Sequence, residues 1–512
     1  MSPIELSILV SRVESICQEM GVVLRQAAFS PNIKDRLDFS CALFDASGEL
    51  FAQAAHIPVH LGSMAYAMRD IVSGVDWHPG DILALNDPFL GGTHLPDVTL
   101  ISPFYTGARL LGFVANRAHH ANIGASSPGS MPISTRLEEE GLLIAPTKLV
   151  SAGVLVKEEM EKLGELKGAD VGGDFAAQMS ANRVGVERIG KLVAKIGVDE
   201  FLDGIDEINA YGMRLAKTCL ESIPSGSYRY CDRMDDDGCG AEDIEISVLI
   251  DVTDEGIVVD FEGTSPQVKG NINCPLSVVA AAVFYCFRCL LPDNTPACAG
   301  VFSVISLRAP VGSLVNATRP AATAAGNVET SMRIVDVVLG ALYQALPSMI
   351  PAASQGTMNN VAMGNHGTNH PWDYYETIAG GSGAIEGSDG VSGVQSHMTN
   401  TLNTPIESLE MHYPIRIREY CIRRGSGGDG RYAGGNGLVR EFEFLEPAEV
   451  TLITERRRIA PWALEGGLPG AMGKNSLDGK KLPGKCHLFV EQGQVLRVET
   501  PGGGGFGSPQ IN

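Results

Sequence analysis

The chain contains no apolar run long enough to cross a bilayer. Its longest, LSVVAAAVFYCFRCLLP, is interrupted by Arg288 and falls short of the ~20 residues that a spanning helix needs. A buried helix is expected there. Positive charge is scarce: 39 Lys and Arg face 60 Asp and Glu, for a net charge of -21. That balance excludes nucleic acid and anionic membrane surfaces as partners. No charged-then-apolar leader opens MSPIELSILV, because Glu5 falls inside it; a cytoplasmic protein is expected. The 11 cysteines are odd in number and irregular in spacing. The pair Cys286 and Cys289 forms a CxxC, but within the apolar helix, so buried thiols in a reducing compartment are expected. No G-x-S-x-G elbow occurs. The glycine clusters Gly425–Gly430, Gly434–Gly437 and Gly502–Gly505 lack the Lys-Ser/Thr of a phosphate loop.

What is present reads as a globular protein, with 44% apolar and 19% charged residues. Helical spacing of Ile4, Ile8, Leu9, Val13, Ile16 and Met20 predicts a first helix. FSCALFD and ELFAQ read as strands around the turn ASGE, and Ser63 reads as the N-cap of a helix after Gly62. DILALNDPF, DVTLISPFY and ARLLGFVANR add three strands. The expected fold class is α+β, multi-domain, with mixed or antiparallel sheets, a helical insertion and a β-rich C-terminal region. The expected divisions are an α+β unit at 1–150, a helical segment at 151–223, an α+β unit at 224–420 and a β-rich unit at 421–512. Residues 351–405, rich in Gly, Ser, Asn and Thr, have the character of a functional or shielding loop.

Six of the eleven histidines lie in the first 150 residues. DVTLISPFY and ARLLGFVANR are joined by Thr106-Gly107. If they pair antiparallel, partner numbers sum to about 213–216. Asp97 then lies opposite residues near 116–119, and His94 and His119 fall at the same sheet end. H-x-x-D, a hairpin and H-H thus bring two imidazoles and a carboxylate together. Such a set suits Zn, Mn or Fe(II) and leaves coordination positions open. The bland alternative is a group of histidines capping carbonyls at strand ends. His120 either supports these groups from behind or points to the other face, since neighbours in a strand diverge. His56 and His60 in HIPVH share a face if that segment is extended, and are candidates for substrate contact or proton transfer. Arg36 and Asp38 alternate on one face of a strand-like segment. They read as an internal ion pair, or as an anion-holding Arg oriented by its Asp. Glu455 with Arg456, Arg457 and Arg458 reads as a contact between domains.

These residues carry a resemblance. NIKDRLDFSCALFDASGELFAQAAHIPVHLGSM, NDPFLGGTHLPDVTLISP and NRAHHANIG resemble the hydantoinase B/oxoprolinase family, as do DFEGTSPQVKGNIN, GSGGDGRYAGGNGLVREFEF, ERRRIAPWALEGGLPG and TPGGGGFG. The resemblance runs in order over essentially the whole chain. It implies the B-type component of an ATP-dependent enzyme that opens cyclic amides such as hydantoin, N-methylhydantoin, oxoproline or a lactam. It also implies an A-type component that uses ATP and Mg to phosphorylate the substrate, in a homodimer of A–B pairs or a larger assembly. The family's metal motif maps onto His94, Asp97 and His119, which would hold one divalent ion. His120, His56 and His60 are then candidate proton shuttles, and Arg36, oriented by Asp38, a candidate for binding substrate anion. Rival readings are a component of an ATP-dependent ketone carboxylase, a mononuclear Fe(II) oxygenase, and a scaffold protein with a structural metal.

Overall fold

A computed structural model describes residues 1–54, 57–164, 171–367 and 370–509. The first helix, α1 (Pro3–Ala27), starts at a capping box in which Ser2 and Glu5 satisfy each other's backbone N–H groups. It buries Leu6, Leu9, Val13, Ile16 and Met20, while Ile4 and Ile8 of the predicted spacing stay exposed. After the short α2 (Pro31–Lys34) comes a seven-stranded antiparallel sheet. Its strands are β1 (Phe39–Asp45), β2 (Leu50–Gln53), β3 (Ile82–Leu85), β4 (Asp97–Thr106), β5 (Arg109–His119), β6 (Thr147–Ser151) and β7 (Val154–Leu155), ordered β2-β1-β5-β4-β3-β6-β7.

Helices cover both faces of this sheet. On one face lie α1 and the insertion helices α4 (Lys157–Gly164), α5 (Val171–Ile196) and α6 (Val198–Leu220). On the other, α3 (Pro58–Ser73) packs beneath Ala42, Phe44, Leu83, Leu85, Ile101 and Phe113. Its outer side meets α7 (Leu276–Arg288), the apolar segment. There Gly62 leaves no room for a side chain: a Cβ would sit 2.5 Å from the Cα of Ala281. The helix α3 begins at Pro58, four residues before the glycine that the sequence pattern places ahead of it. Proline at the first helical position has its φ preset and no N–H to lose. Ser63 is therefore no N-cap but an interior residue, bonded to the carbonyl of Val59 at 2.6 Å.

A second sheet pairs the 226–236, 242–253, 256–260 and 305–308 strands, the last two in parallel. Across it runs α8 (Ser331–Tyr343), entered through a π-helical turn at Gly326–Thr330. A third sheet joins the 360–365 and 372–377 strands to those at 448–453 and 485–490. A fourth, five-stranded sheet follows the order 415–422, 438–444, 495–499, 474–477, 480–482. The Glu455–Arg458 segment ties the second sheet to the third. Arg456 is fully buried and binds Asp232 at 2.7 Å and Asp336 of α8, while Glu455 binds Arg333 at 3.3 Å and Lys485.

The glycine clusters share one interior. Gly503 N–H donates to the Gly435 carbonyl at 2.9 Å, Gly428 N–H to Gly503 at 2.9 Å, and Gly435 N–H to Ser382 at 2.9 Å. Backbones from four separate segments thus pack directly on one another. A Cβ on Gly503 would lie 1.9 Å from the Ser382 carbonyl oxygen, and one on Gly435 2.0 Å from that of Val391.

Candidate metal centre

Strands β4 and β5 pair with Asp97 opposite His119, Thr99 opposite Arg117 and Ile101 opposite Ala115. Partner numbers sum to 216 as far as a bulge at Phe104 and Tyr105. Alternation then sends Arg117 and His119 to the α3 face, and Asn116 and His120 to the α5 face. The loop before β4 turns at Gly91, where φ is 93° and a Cβ would strike Ala67 at 2.2 Å. Buried Arg117 holds that turn. It donates to the Gly91 carbonyl at 3.0 Å, to Ser63 Oγ at 2.6 Å and to Thr99 Oγ1 at 2.8 Å.

His94, Asp97 and His119 meet at this corner, each presenting one ligand atom, with those atoms all within 4.8 Å of one another. All three are buried. Asp97 is the hub. Its Oδ1 lies 3.1 Å from His94 Nε2 and 3.1 Å from His119 Nδ1. Its Oδ2 accepts from Thr93 Oγ1 at 2.5 Å and Asn327 Nδ2 at 3.3 Å, and lies 3.1 Å from His60 Nε2. Burial opposes charge on Asp97, yet the imidazoles of His94 and His60 hold its carboxyl well below the usual carboxylate range.

Supporting contacts fix the rings. His94 Nδ1 is 3.2 Å from the Ala324 carbonyl, so it carries the proton and Nε2 is left with a lone pair. Glu140 in turn accepts from the N–H groups of Thr323 and Ala324, each at 2.9 Å. Burial pushes its pKa up to about 7. The His119 ring stacks on Tyr375 at 4.8 Å, with 13° between planes. Tyr375 is anchored by its hydroxyl on Asn360 Oδ1 at 2.7 Å. Burial disfavours the charged form of His94, but Asp97 reverses this and its pKa is raised; burial prevails at His119, whose pKa is lowered.

The donor set fits a divalent cation. The Nε2 atoms of His94 and His119 are both buried without a hydrogen-bond partner. A nitrogen lone pair facing a carboxylate oxygen at 3.1 Å is repulsive unless a cation lies between them. The cavity in front of these groups has a volume of about 20 Å³, room for one ion or one water. Its other walls are Asp38, Ile57, Val59, His60, Asn327, Val328, Met358, Tyr375, Thr377, Met398, Thr399 and Thr401. Six residues of the 351–405 stretch thus wall the site.

The remaining sequence candidates divide. His60 reaches the cavity, but from the first turn of α3 and not from an extended segment. His56 lies outside the described residues. Asp38 lines the cavity; Arg36 stands behind it, 3.9 Å from Asp38 and bonded to the Tyr375 carbonyl at 2.8 Å. The two do not share a strand face: Leu37 between them has φ 57°, and β1 starts only at Phe39. His120 points away from the cavity, its Nε2 2.9 Å from Gln178 Oε1 of α5. Sequence reasoning misses Thr93, Glu140, Asn327 and Tyr375. Only Thr93, inside GGTHLPD, has a local signal.

The model of the hydantoinase B/oxoprolinase family matches residues 2–509. The chain belongs to the hydantoinase B/oxoprolinase family. A relative named 5-oxoprolinase 1 from Arabidopsis thaliana is 39% identical over 99% of this chain, which spans only 42% of that relative's length. The B component of a putative D-/L-hydantoinase from Pseudomonas sp. is 30% identical, covering 99% of this chain and 90% of its own. Among solved structures, the ATP-dependent caprolactamase from Pseudomonas jessenii superposes with a TM-score of 0.92. It is 26% identical over 99% of this chain and 91% of its own. This hydantoinase B/oxoprolinase family chain is thus close in size to the hydantoinase component and a part-length match to the 5-oxoprolinase. No helix among the described residues is long and apolar enough to cross a membrane.

Proposed function

We propose that this chain is the metal-bearing B-type component of an ATP-dependent enzyme that opens small cyclic amides. Its substrate is first phosphorylated by an A-type ATP-binding partner, in which ATP and Mg are used. The observation that carries this reading is the convergence of His94, Asp97 and His119 with two bare imidazole nitrogens. These three residues would hold one divalent ion, Zn, Mn or Fe(II) by the nature of the donors. When bound, such an ion supplies Lewis acidity toward oxygen.

The protein's own groups do the rest. Thr93 and Asn327 hold Asp97 in place, and Ala324 sets the tautomer of His94. His60, on the cavity wall, donates from Nε2 to Asp97 Oδ2 and so steadies the carboxylate. Arg36 backs the wall of Thr377 and Thr401, which it touches at 3.3 and 3.5 Å. Two buried cations, Arg36 and Arg117, balance two buried anions, Asp38 and Asp97. A divalent ion tips that balance positive, which favours a negatively charged substrate such as a phosphorylated amide. The enclosing segment keeps bulk water from the activated substrate.

The test is to purify the chain with its A-type partner and screen cyclic amides with ATP. Wild type should carry about one metal per chain and open a ring, and His94→Ala should lose both at least ~1,000-fold while still binding its partner. Full ring opening by a metal-free His94→Ala protein would falsify the assignment. Turnover of ketone plus bicarbonate in place of amide would move the enzyme to the carboxylase reading.

A further inference from the structure

We propose that Asn327 holds the reacting water of this site through its side-chain carbonyl oxygen, and is thus a catalytic residue. The inference rests on the hydrolytic reading above. Asn327 sits in the π-helical turn that precedes α8 and lines the cavity beside His60, His94, Asp97 and His119. It is 3% exposed. Which end of its amide faces which neighbour is decided by chemistry. Asp97 Oδ2 is a carboxylate oxygen that can only accept, and it lies 3.3 Å from the Asn327 amide nitrogen. Exchanging N and O would set two oxygens against each other. Asp97 Oδ2 also accepts from Thr93 Oγ1 at 2.5 Å, which agrees with this orientation. The carbonyl oxygen, Oδ1, is therefore turned from Asp97, and it has no hydrogen-bond partner among the described residues.

A buried carbonyl left unsatisfied costs about 1–3 kcal/mol. Among the described residues no protein donor meets it, and the cavity that Asn327 lines is large enough for a water. Several other walls are apolar: Ile57, Val59, Val328, Met358 and Met398. A water in this space donates one hydrogen to Asn327 Oδ1. Its lone pairs are then free for an incoming carbonyl carbon, and the hydrogen not held by Asn327 is the one released on attack. Without Oδ1 the water has no acceptor to fix its rotation. The role is distinct from buttressing Asp97, which Thr93 performs on the same carboxylate oxygen.

That distinction gives the test. Asn327→Leu keeps the approximate shape and removes both polar atoms. Thr93→Val removes a buttress of Asp97 and leaves Oδ1 untouched. At saturating metal, with partner, ATP and a turned-over cyclic amide, Asn327→Leu should lose ~100-fold in kcat relative to Thr93→Val, with KM within about threefold. High-resolution crystal structures provide a readout independent of turnover. Wild type should show an ordered water on Asn327 Oδ1, and the leucine variant should show none. If the leucine variant does not fold, the wild-type structure alone decides. Equal kcat in the leucine and Thr93→Val variants, or a wild-type cavity with no water within hydrogen-bonding reach of Oδ1, overturns the proposal. If the wild type opens no cyclic amide, the hydrolytic reading fails, and the crystal structures alone decide whether Asn327 holds a water.

Discussion

Two buried regions of this molecule are each dominated by an unusual residue type, and they use it in opposite ways. At the end of β4 and β5, histidines crowd around Asp97 and a void of about 20 Å³ is preserved among them. Side chains make the contacts there, and several polar atoms are left unpartnered. In the glycine-rich interior formed by segments near Gly381, Gly428, Gly435 and Gly503, backbones fill the space themselves and their N–H groups find carbonyls. A dense cluster of one residue type therefore marks a close approach in both places. A void of about 20 Å³ between side chains marks the first, and backbone hydrogen bonds across the approach mark the second.

The contrast can be attacked from both sides. The largest effect is expected in the glycine interior. Gly503→Ala would bring a Cβ to 1.9 Å from a carbonyl oxygen, with no flexible side chain to give way. A loss of more than ~3 kcal/mol is expected, beyond ordinary overpacking, seen as a collapse of soluble yield or of the urea midpoint. An alanine variant that unfolds at the wild-type midpoint would show that these backbones are not in contact. At the metal corner the effect should fall on binding instead. Thr93→Val removes the hydroxyl that holds Asp97 Oδ2, so titration with Mn²⁺ should weaken ~10–100-fold. Its stability should change by only about 1 kcal/mol. Unchanged Mn²⁺ affinity would separate Thr93 from the site.

The smallest effect concerns Glu329, in the same π-helical turn as Asn327. Burial pushes its carboxyl from 4.5 up to about 8, and Oε2 lacks a partner. The folded chain thus keeps a proton that the unfolded chain releases. Its contribution to stability falls as pH rises from about 4.5 to about 8, and is level above that. Glu329→Gln removes the titration while keeping an oxygen for Met358 N–H and Asn360. The variant should gain on wild type between about pH 5 and about pH 9 in chemical denaturation. Parallel stability curves would mean that the buried acid does not titrate in this range.

Much of the convergence of His94, Asp97 and His119 is legible in the sequence because it is local. A two-strand ribbon with a tight turn fixes its own register, so Asp97 and His119 can be paired by counting. Elements with strong periodicity, such as α1 and α7, are legible for the same reason. The start of α3 is misplaced by pattern alone because Pro58 outweighs the capping chemistry of Ser63. Arg36 and Asp38 mimic strand partners because a left-handed Leu37 leaves no pattern in sequence. Ala324, Asn327 and Tyr375 reach the site across more than 200 residues of chain; their positions depend on how the sheets dock. The glycine clusters pack backbone on backbone, and such packing has no periodicity by which to be found.

The π-helical turn carries one further consequence. It holds an extra residue relative to an α-helical turn at the same place, and an α-helix advances about 100° per residue. Excising a single residue between Gly326 and Thr330 would let the segment relax to ordinary repeat while α8 kept its packed face. Asn327 would then swing off the carboxylate it now touches, so this irregularity couples the chain's length at one point to the aim of one amide.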